Sequence, residues 1–176
     1  MKKLILLFTL LLSASVVANV KIIKSNIEFS AKGRPAFIKA NGSAPLVDTN
    51  LIIKDLKLKG SVTVDISKLD SGIELRDEHL KEKYLHTNKF PQAVLSFDEQ
   101  SVSLDGSEQT LKGKLKFHGV EKNVQVKAEL NKSDKQISLE SSFVIKITDY
   151  GIELPSFQGI TAADKVELKV EAELEI

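Results

Sequence analysis

From Asp164 to the C-terminus the chain alternates without a break. Val166, Leu168, Val170, Ala172, Leu174 and Ile176 hold one parity, and Lys165, Glu167, Lys169, Glu171, Glu173 and Glu175 hold the other. A period of two cannot build an amphipathic helix, whose apolar stripe needs steps of three and four. It dictates a strand with one dry face and one wet face, and such strands belong to antiparallel sheets. The pattern recurs along the chain. Ile27, Phe29 and Ala31 open it, and Leu56, Leu58, Val62, Val64 and Ile66 share a parity against Lys57, Lys59, Thr63 and Asp65. Ala93, Leu95 and Phe97 follow, then Leu111, Leu115 and Phe117, then Val124, Val126, Ala128 and Leu130. Ile137, Leu139, Phe143, Ile145 and Ile147 form the next set.

Short turn sequences join these runs: Asp105-Gly106-Ser107, His118-Gly119-Val120-Glu121 and Asn131-Lys132-Ser133-Asp134. About eight strands with hairpin links and no βαβ spacing predict an all-β, antiparallel up-and-down barrel. A sandwich is the alternative, because periodicity does not distinguish a closed sheet from two open ones. Thr148 to Asp164, with Gly151, Pro155 and Gly159, reads as a long loop over one barrel end.

One segment breaks the alternation. Residues 71–97 hold a charged, helix-compatible insert, with Leu80 and Tyr84 four apart on one helical face. Asp77 is the expected N-cap and an i,i+4 partner for Lys81, and Asn88 and Pro91 bound the far end. A single short helix among strands predicts a lid across the barrel, with Leu80 and Tyr84 facing inward.

The first eighteen residues read as a signal peptide. Lys2 and Lys3 precede an apolar run from Leu4 to Leu12, and Val16-Val17-Ala18 offers a small-residue cleavage site before Asn19. The run is too short for a membrane span. This leaves one domain, residues 19–176, exported to the periplasm or secreted, with no transmembrane segment. With no cysteine, its stability has to come from the core alone. Without Lys2 and Lys3 the chain carries 23 basic against 24 acidic residues, interspersed along the strands. That balance excludes a nucleic-acid surface, which needs clustered basic residues.

Sequence motifs for catalysis are absent: no cysteine nucleophile, no Gly-x-Ser-x-Gly elbow, no His-Glu-x-x-His and no phosphate-cradling loop. The expectation is a non-enzyme with no catalytic or metal-ligating residues and no cofactor. His79 and His86 sit two helical turns apart, about 10 Å, too far to share a metal. His118 precedes Gly119 in a turn and is expected at the barrel rim. Arg76 either pairs with a rim carboxylate or meets an anionic head group through its fork of donors. The aromatic residues Phe29, Phe37, Phe90, Phe97, Phe117, Phe143, Tyr150 and Phe157 are core by default in a small barrel, and pocket lining if the barrel is hollow.

Several motifs occur together and in order. Leu69-Asp70-Ser71-Gly72 is followed by Arg76-Asp77-Glu78-His79-Leu80, Lys89-Phe90-Pro91 and Phe97. Leu115-Lys116-Phe117-His118-Gly119-Val120, Thr148-Asp149-Tyr150-Gly151-Ile152 and the final strand complete the series. In this arrangement the chain resembles the YceI family of lipocalin-like, periplasmic polyisoprenoid-binding proteins. It departs from the family where Tyr84-Leu85-His86 stands in place of Phe-Phe-Asp, and where Ala31-Lys32-Gly33-Arg34 lacks a histidine. The resemblance implies an extended eight-stranded barrel with an apolar tunnel for a prenyl or similar lipid tail, in a carrier or storage role. Leu80, Tyr84, Phe90, Phe97, Phe117, Phe143 and Phe157 would then line the tunnel, with Arg76, His79 or His118 at the rim beside a head group. The partner so implied is a long-chain apolar small molecule. The competing readings are an interaction or scaffold barrel filled by its own side chains and, third, an enzyme or redox-cofactor binder.

Overall fold

The computed structural model describes residues 20–34, 39–157 and 159–176. The expected signal peptide and Phe37 lie outside these residues. The strands are β1 (Lys21–Arg34), β2 (Lys39–Ser43), β3 (Leu46–Thr49), β4 (Ile52–Lys54), β5 (Lys57–Asp65) and β6 (Gln92–Ser101). They continue with β7 (Asp105–Phe117), β8 (Val120–Ser133), β9 (Gln136–Lys146), β10 (Ser156–Phe157) and β11 (Ile160–Glu175). All pairings are antiparallel, in the order β2-β1-β11-β9-β8-β7-β6-β5-β3, with β4 also on β5 and β10 on β11.

The two ends of that order are parts of one course of chain. β2 pairs with β1, and after Ala44 and Pro45 the same course pairs with β5 as β3 and then β4. Pro45 has no N–H to give to a ladder, so it suits the point where the chain leaves one neighbour for the other. Its carbonyl accepts from Asp65 N at 2.9 Å, and Ala44 N donates back to Ile27 O at 3.2 Å. Taking β2, β3 and β4 as one bent course, eight courses run up and down around a single curled sheet. This is a barrel rather than a sandwich.

The alternation sets which side chains face inward. In β11, Ala172 and Leu174 are buried, Val166, Leu168 and Val170 are half-buried, and the charged residues between them from Lys165 to Glu175 are exposed. Leu56 departs from the parity assigned to it. Asp55 and Leu56 both have positive φ in the two-residue β4–β5 turn, which puts Leu56 at an exposed tip. A type I′ hairpin requires that geometry of both central residues, so turn chemistry overrides the period at this position.

The bottom of the barrel, where β4–β5, β6–β7 and β8–β9 turn, is packed shut by Val20, Leu51, Leu58, Val102, Leu130 and Ile137, all under 10 % exposed. At the top, Asp65 pairs with Gln92 and Lys146 with Lys165, so residues 66–91 and 147–164 leave and rejoin the wall at the same height. The first excursion contains a 3-10 turn (Ile66–Lys68), α1 (Glu74–His79) and a π-helical turn (Leu80–Tyr84). The 3-10 turn is capped by Asp65, whose carboxylate accepts from Ser67 N and Oγ. That hydroxyl contact is the main reason its pKa falls below 3.8. The second excursion is less of a loop than its sequence predicts. Ile147–Tyr150 form a 3-10 turn tied by Thr148 N and Oγ1 to Asp164, and β10 pairs with the start of β11.

Gly60 sits at the β5 bulge with φ of 115°, and a Cβ there would lie 2.4 Å from the Asn50 carbonyl oxygen. Backbone cannot yield as a flexible side chain does, and the φ suits only glycine. Gly60→Ala is expected to cost about 2 kcal/mol or more by urea unfolding, through strain and overpacking together. A loss under about 0.5 kcal/mol would show that the bulge is not held as described.

Candidate functional site

The barrel interior is a cavity of about 310 Å³, opening toward the top and lined almost entirely by apolar side chains. Its upper walls include Phe29, Val64, Leu80, Val166 and Leu168, and Phe97, Leu115 and Phe143 lie among its lining. The half-burial of the upper-wall residues has a definite cause. The inward faces of Val62, Val64, Val166, Leu168 and Val170 look onto open space, whereas nearer the bottom Leu58 and Leu174 are packed out. A sheet whose apolar face stays half-exposed on its concave side holds a hollow, not a finished core.

The top is assembled by side-chain links between its connections. The Tyr84 hydroxyl accepts from Ser156 N at 3.0 Å and donates to Ser156 O at 3.2 Å, joining the helical excursion to β10. The π turn brings the adjacent residues Tyr84 and Leu85 both into burial. Beyond it, His86 and His118 stack with ring centroids 5.3 Å apart and an Nδ1 to Nε2 separation of 3.0 Å. His118 Nδ1 lies 3.0 Å from the Tyr150 carbonyl, which can only accept. His118 therefore carries its proton on Nδ1, and between neutral rings its Nε2 accepts from His86 Nδ1. One chain of contacts thus joins the helical excursion, the β7–β8 turn and the 147–150 turn. Below it Tyr150 is 2 % exposed, its ring edge-on to Phe117 and its hydroxyl unpartnered among the described residues. Burial pushes that phenol's pKa up.

The start of α1 is organised by Ser71. Asp77 is not the N-cap; that position is Ile73, with no side-chain cap. Asp77 lies inside the helix, 8 % exposed, and its carboxylate accepts from Ser71 N at 3.0 and 3.1 Å and from Ser71 Oγ. A short polar loop ahead of the helix meets its first turn from the side, which suits a carboxylate one turn in rather than at the cap. Asp77 makes no ion pair with Lys81 among the described residues. Arg76 is likewise not paired with a rim carboxylate. Its Nε donates to Ser71 Oγ at 2.7 Å and its Nη2 to Ser71 O at 2.5 Å. Two donors hold the guanidinium in place, and among the described residues the remaining ones meet no acceptor at the lip of the apolar cavity that Arg76 lines.

A family model for the YceI-like domain matches residues 19–174. The chain belongs to the YceI-like family. A UPF0312 protein of Photorhabdus laumondii is 33 % identical over 102 residues, a stretch covering 54 % of this chain and 52 % of that one. The chain therefore matches about half the length of that curated relative. Among solved structures, BcnA of Burkholderia cenocepacia superposes with a TM-score of 0.72 at 16 % identity, covering 88 % of this chain and 99 % of the other. A polyisoprenoid binding domain from Saccharophagus degradans gives 0.67 at 15 %, covering 89 % and 97 %. The Campylobacter jejuni YceI protein gives 0.58 at 18 %, covering 100 % and 99 %. At these identities the likeness establishes a shared barrel fold.

In this YceI-like domain the residues expected to line a tunnel do not all meet. Leu80, Tyr84, Phe97, Phe117 and Phe143 border the cavity, together with Arg76 and His79 at its mouth. Phe90 and His118 are outside that lining. The Phe90 ring lies edge-on to His118 with centroids 4.7 Å apart, and it covers Gly119. Both belong to the joint between connections, where a small turn and a ring fill the corner. Phe157 falls in β10, and its side chain is outside the described residues. Phe29, expected as pocket lining only if the barrel is hollow, does line the cavity, and its ring lies over Gly42 where any Cβ would sit 2.4 Å from it. Sequence reasoning passed over Ser141, which interrupts an otherwise apolar parity in β9. Among the described residues no cluster of His, Asp or Glu can hold a metal, and no helix is long and apolar enough to cross a membrane.

The Tyr84 to Ser156 contact is the most direct tie across the mouth. Tyr84→Phe keeps the ring and removes both hydrogen bonds, at a cost of about 1–2 kcal/mol in thermal or urea unfolding. Amide exchange at Ser156 should accelerate well beyond the global change, because its N–H loses its acceptor. Unchanged exchange at Ser156 would show that the hydroxyl does not hold the two excursions together.

Proposed function

We propose that this protein binds a single long apolar chain, of isoprenoid or fatty-acyl type, inside the barrel and leaves its polar end at the mouth beside Arg76. The observation that carries the reading is the hollow interior. A barrel meant only as a scaffold would bring its inward side chains into contact, whereas here the half-buried residues of β1, β5 and β11 face a common apolar space. Burying about ten methylenes at roughly 0.8 kcal/mol each contributes on the order of 8 kcal/mol before association costs. That gross figure is of micromolar size, which suits a carrier that also releases its cargo. The polyisoprenoid binding domain of Saccharophagus degradans, with the same fold, adds support for a prenyl chain. Arg76 supports an anionic head, since its guanidinium is fixed at the lip with donors to spare.

Native mass spectrometry of protein purified from its cells, followed by organic extraction, is expected to yield a bound long-chain lipid. The extracted lipid, or stearate as a probe, should bind saturably to the wild type and not to a folded Leu80→Asp variant, which places a charge in the wall of the cavity. An empty extract together with no binding of stearate or of a long-chain polyprenyl phosphate would replace this reading by the scaffold one.

Export is part of the same proposal. Membership of the YceI-like family supports a periplasmic carrier, and the N-terminal pattern of Lys2, Lys3, the Leu4 to Leu12 run and Ala18 supports cleavage before Asn19. N-terminal sequencing of protein from a periplasmic extract should begin at Asn19. Mature protein that retains Lys2 and Lys3 would refute export by this route.

A further inference from the structure

Ser141 is out of place in the wall of this cavity. It lies on the inward parity of β9, between Leu139 and Phe143, and lines the cavity. Its register partners are Val170 on β11 and Ala128 on β8, both inward-facing and apolar. No described residue hydrogen-bonds its hydroxyl. The other polar side chains lining the cavity are placed differently. Arg76, His79, Tyr84 and Ser156 are at the mouth, where Arg76 and the Tyr84 hydroxyl have hydrogen-bond partners and Ser156 meets Tyr84 through its backbone, and the Thr49 hydroxyl donates to Ser61 O and accepts from Leu51 N. Ser141 is four residues above Ile137 at the packed bottom and five below Lys146 at the top rung. At about 3.4 Å per residue it stands roughly halfway down the barrel.

A hydroxyl at that depth is tolerated while water reaches it through an open cavity. It becomes an orphan when a pure hydrocarbon chain fills the space, because the chain removes the water and supplies no partner. A valine or alanine would avoid the penalty, and the strand's own parity would accept either. We infer that Ser141 is a specificity-determining contact for a ligand carrying a hydrogen-bonding oxygen within its chain, a hydroxyl, carbonyl, ester or ether well below the head group. Such a ligand satisfies the hydroxyl when bound and is favoured over an unsubstituted chain of equal length. This inference rests on the lipid-binding reading and narrows its ligand class from any apolar chain to an oxygenated one.

The test compares stearate with a series of hydroxystearates whose hydroxyl moves along the chain, measured by calorimetry on the full mature protein. The head group and length are constant, so the ratio of affinities isolates the internal oxygen. In the wild type, hydroxystearates with the oxygen at the depth of Ser141 should bind at least as tightly as stearate, and other positions should bind more weakly. Ser141→Ala should lower the affinity of the preferred isomers about tenfold relative to stearate and leave stearate unchanged or tighter. Ser141→Thr, which keeps the hydroxyl on a β-branched strand residue, should restore the preference. Identical ratios in wild type and Ser141→Ala overturn the inference while leaving the lipid reading intact, and mark Ser141 as a small residue that merely makes room. No binding of stearate, any hydroxystearate or a polyprenyl phosphate overturns both.

Discussion

Each long strand of this protein carries one apolar face, and the hydrogen bonds of the ladder do nothing to cover it. Curling the sheet until the apolar faces oppose one another solves that problem, but a curled sheet still has two edges with unpaired N–H and C=O groups. The chain satisfies both with one course. β2 covers the free side of β1, and β3 and β4 cover the free side of β5, with Ala44 and Pro45 between them. The interior radius, the positions of the excursions and the orientation of the mouth all follow from that closure.

Closing eight courses leaves more room than the side chains fill. At the bottom the gap is taken up by residues from the strand ends and turns, such as Val20, Leu51 and Val102. At the top it is not, and the two excursions roof it instead. α1 is six residues long, too short to hold itself as a helix in water. It is maintained by Ser71 with Asp77 and Arg76 at its start, and by Tyr84 and His86 beyond its end. The roof is therefore a set of side-chain joints between connections rather than a packed layer. That arrangement suits an opening through which a chain passes.

The polar groups of the cavity follow the same division. Arg76 at the lip is held by Ser71 rather than by a direct carboxylate pair, with the Asp77 carboxylate on the far side of the same hydroxyl. A bidentate carboxylate partner would have taken up more of its donors and left fewer for a ligand's head group. Along the outer wall, Lys57 with Glu99 and Lys127 with Glu108 are paired, but these pairs are exposed and add little to stability. Their contribution is to keep the convex face wet and the concave face dry.

Much of the wall was legible without coordinates, because a period of two is a direct consequence of backbone geometry. The inward set in β11, β9 and β8 is the set that the alternation assigns. Local rules failed where something non-local took over. Leu56 was drawn out by a turn requiring positive φ, Asp77 was drawn to a loop rather than to the helix cap, and the start of β11 reaches back to residues read as loop. The mouth was less legible still. His86 and His118 are 32 residues apart and Tyr84 and Ser156 are 72 apart, and no spacing rule brings them together. By itself the sequence determined the strands, their dry faces and the presence of a helical interruption, since each is written in short-range periodicity. Only the tertiary structure decided that the barrel is hollow, where its mouth lies and which polar groups reach the interior. Those depend on how far apart closed walls stand, a distance that no local pattern encodes.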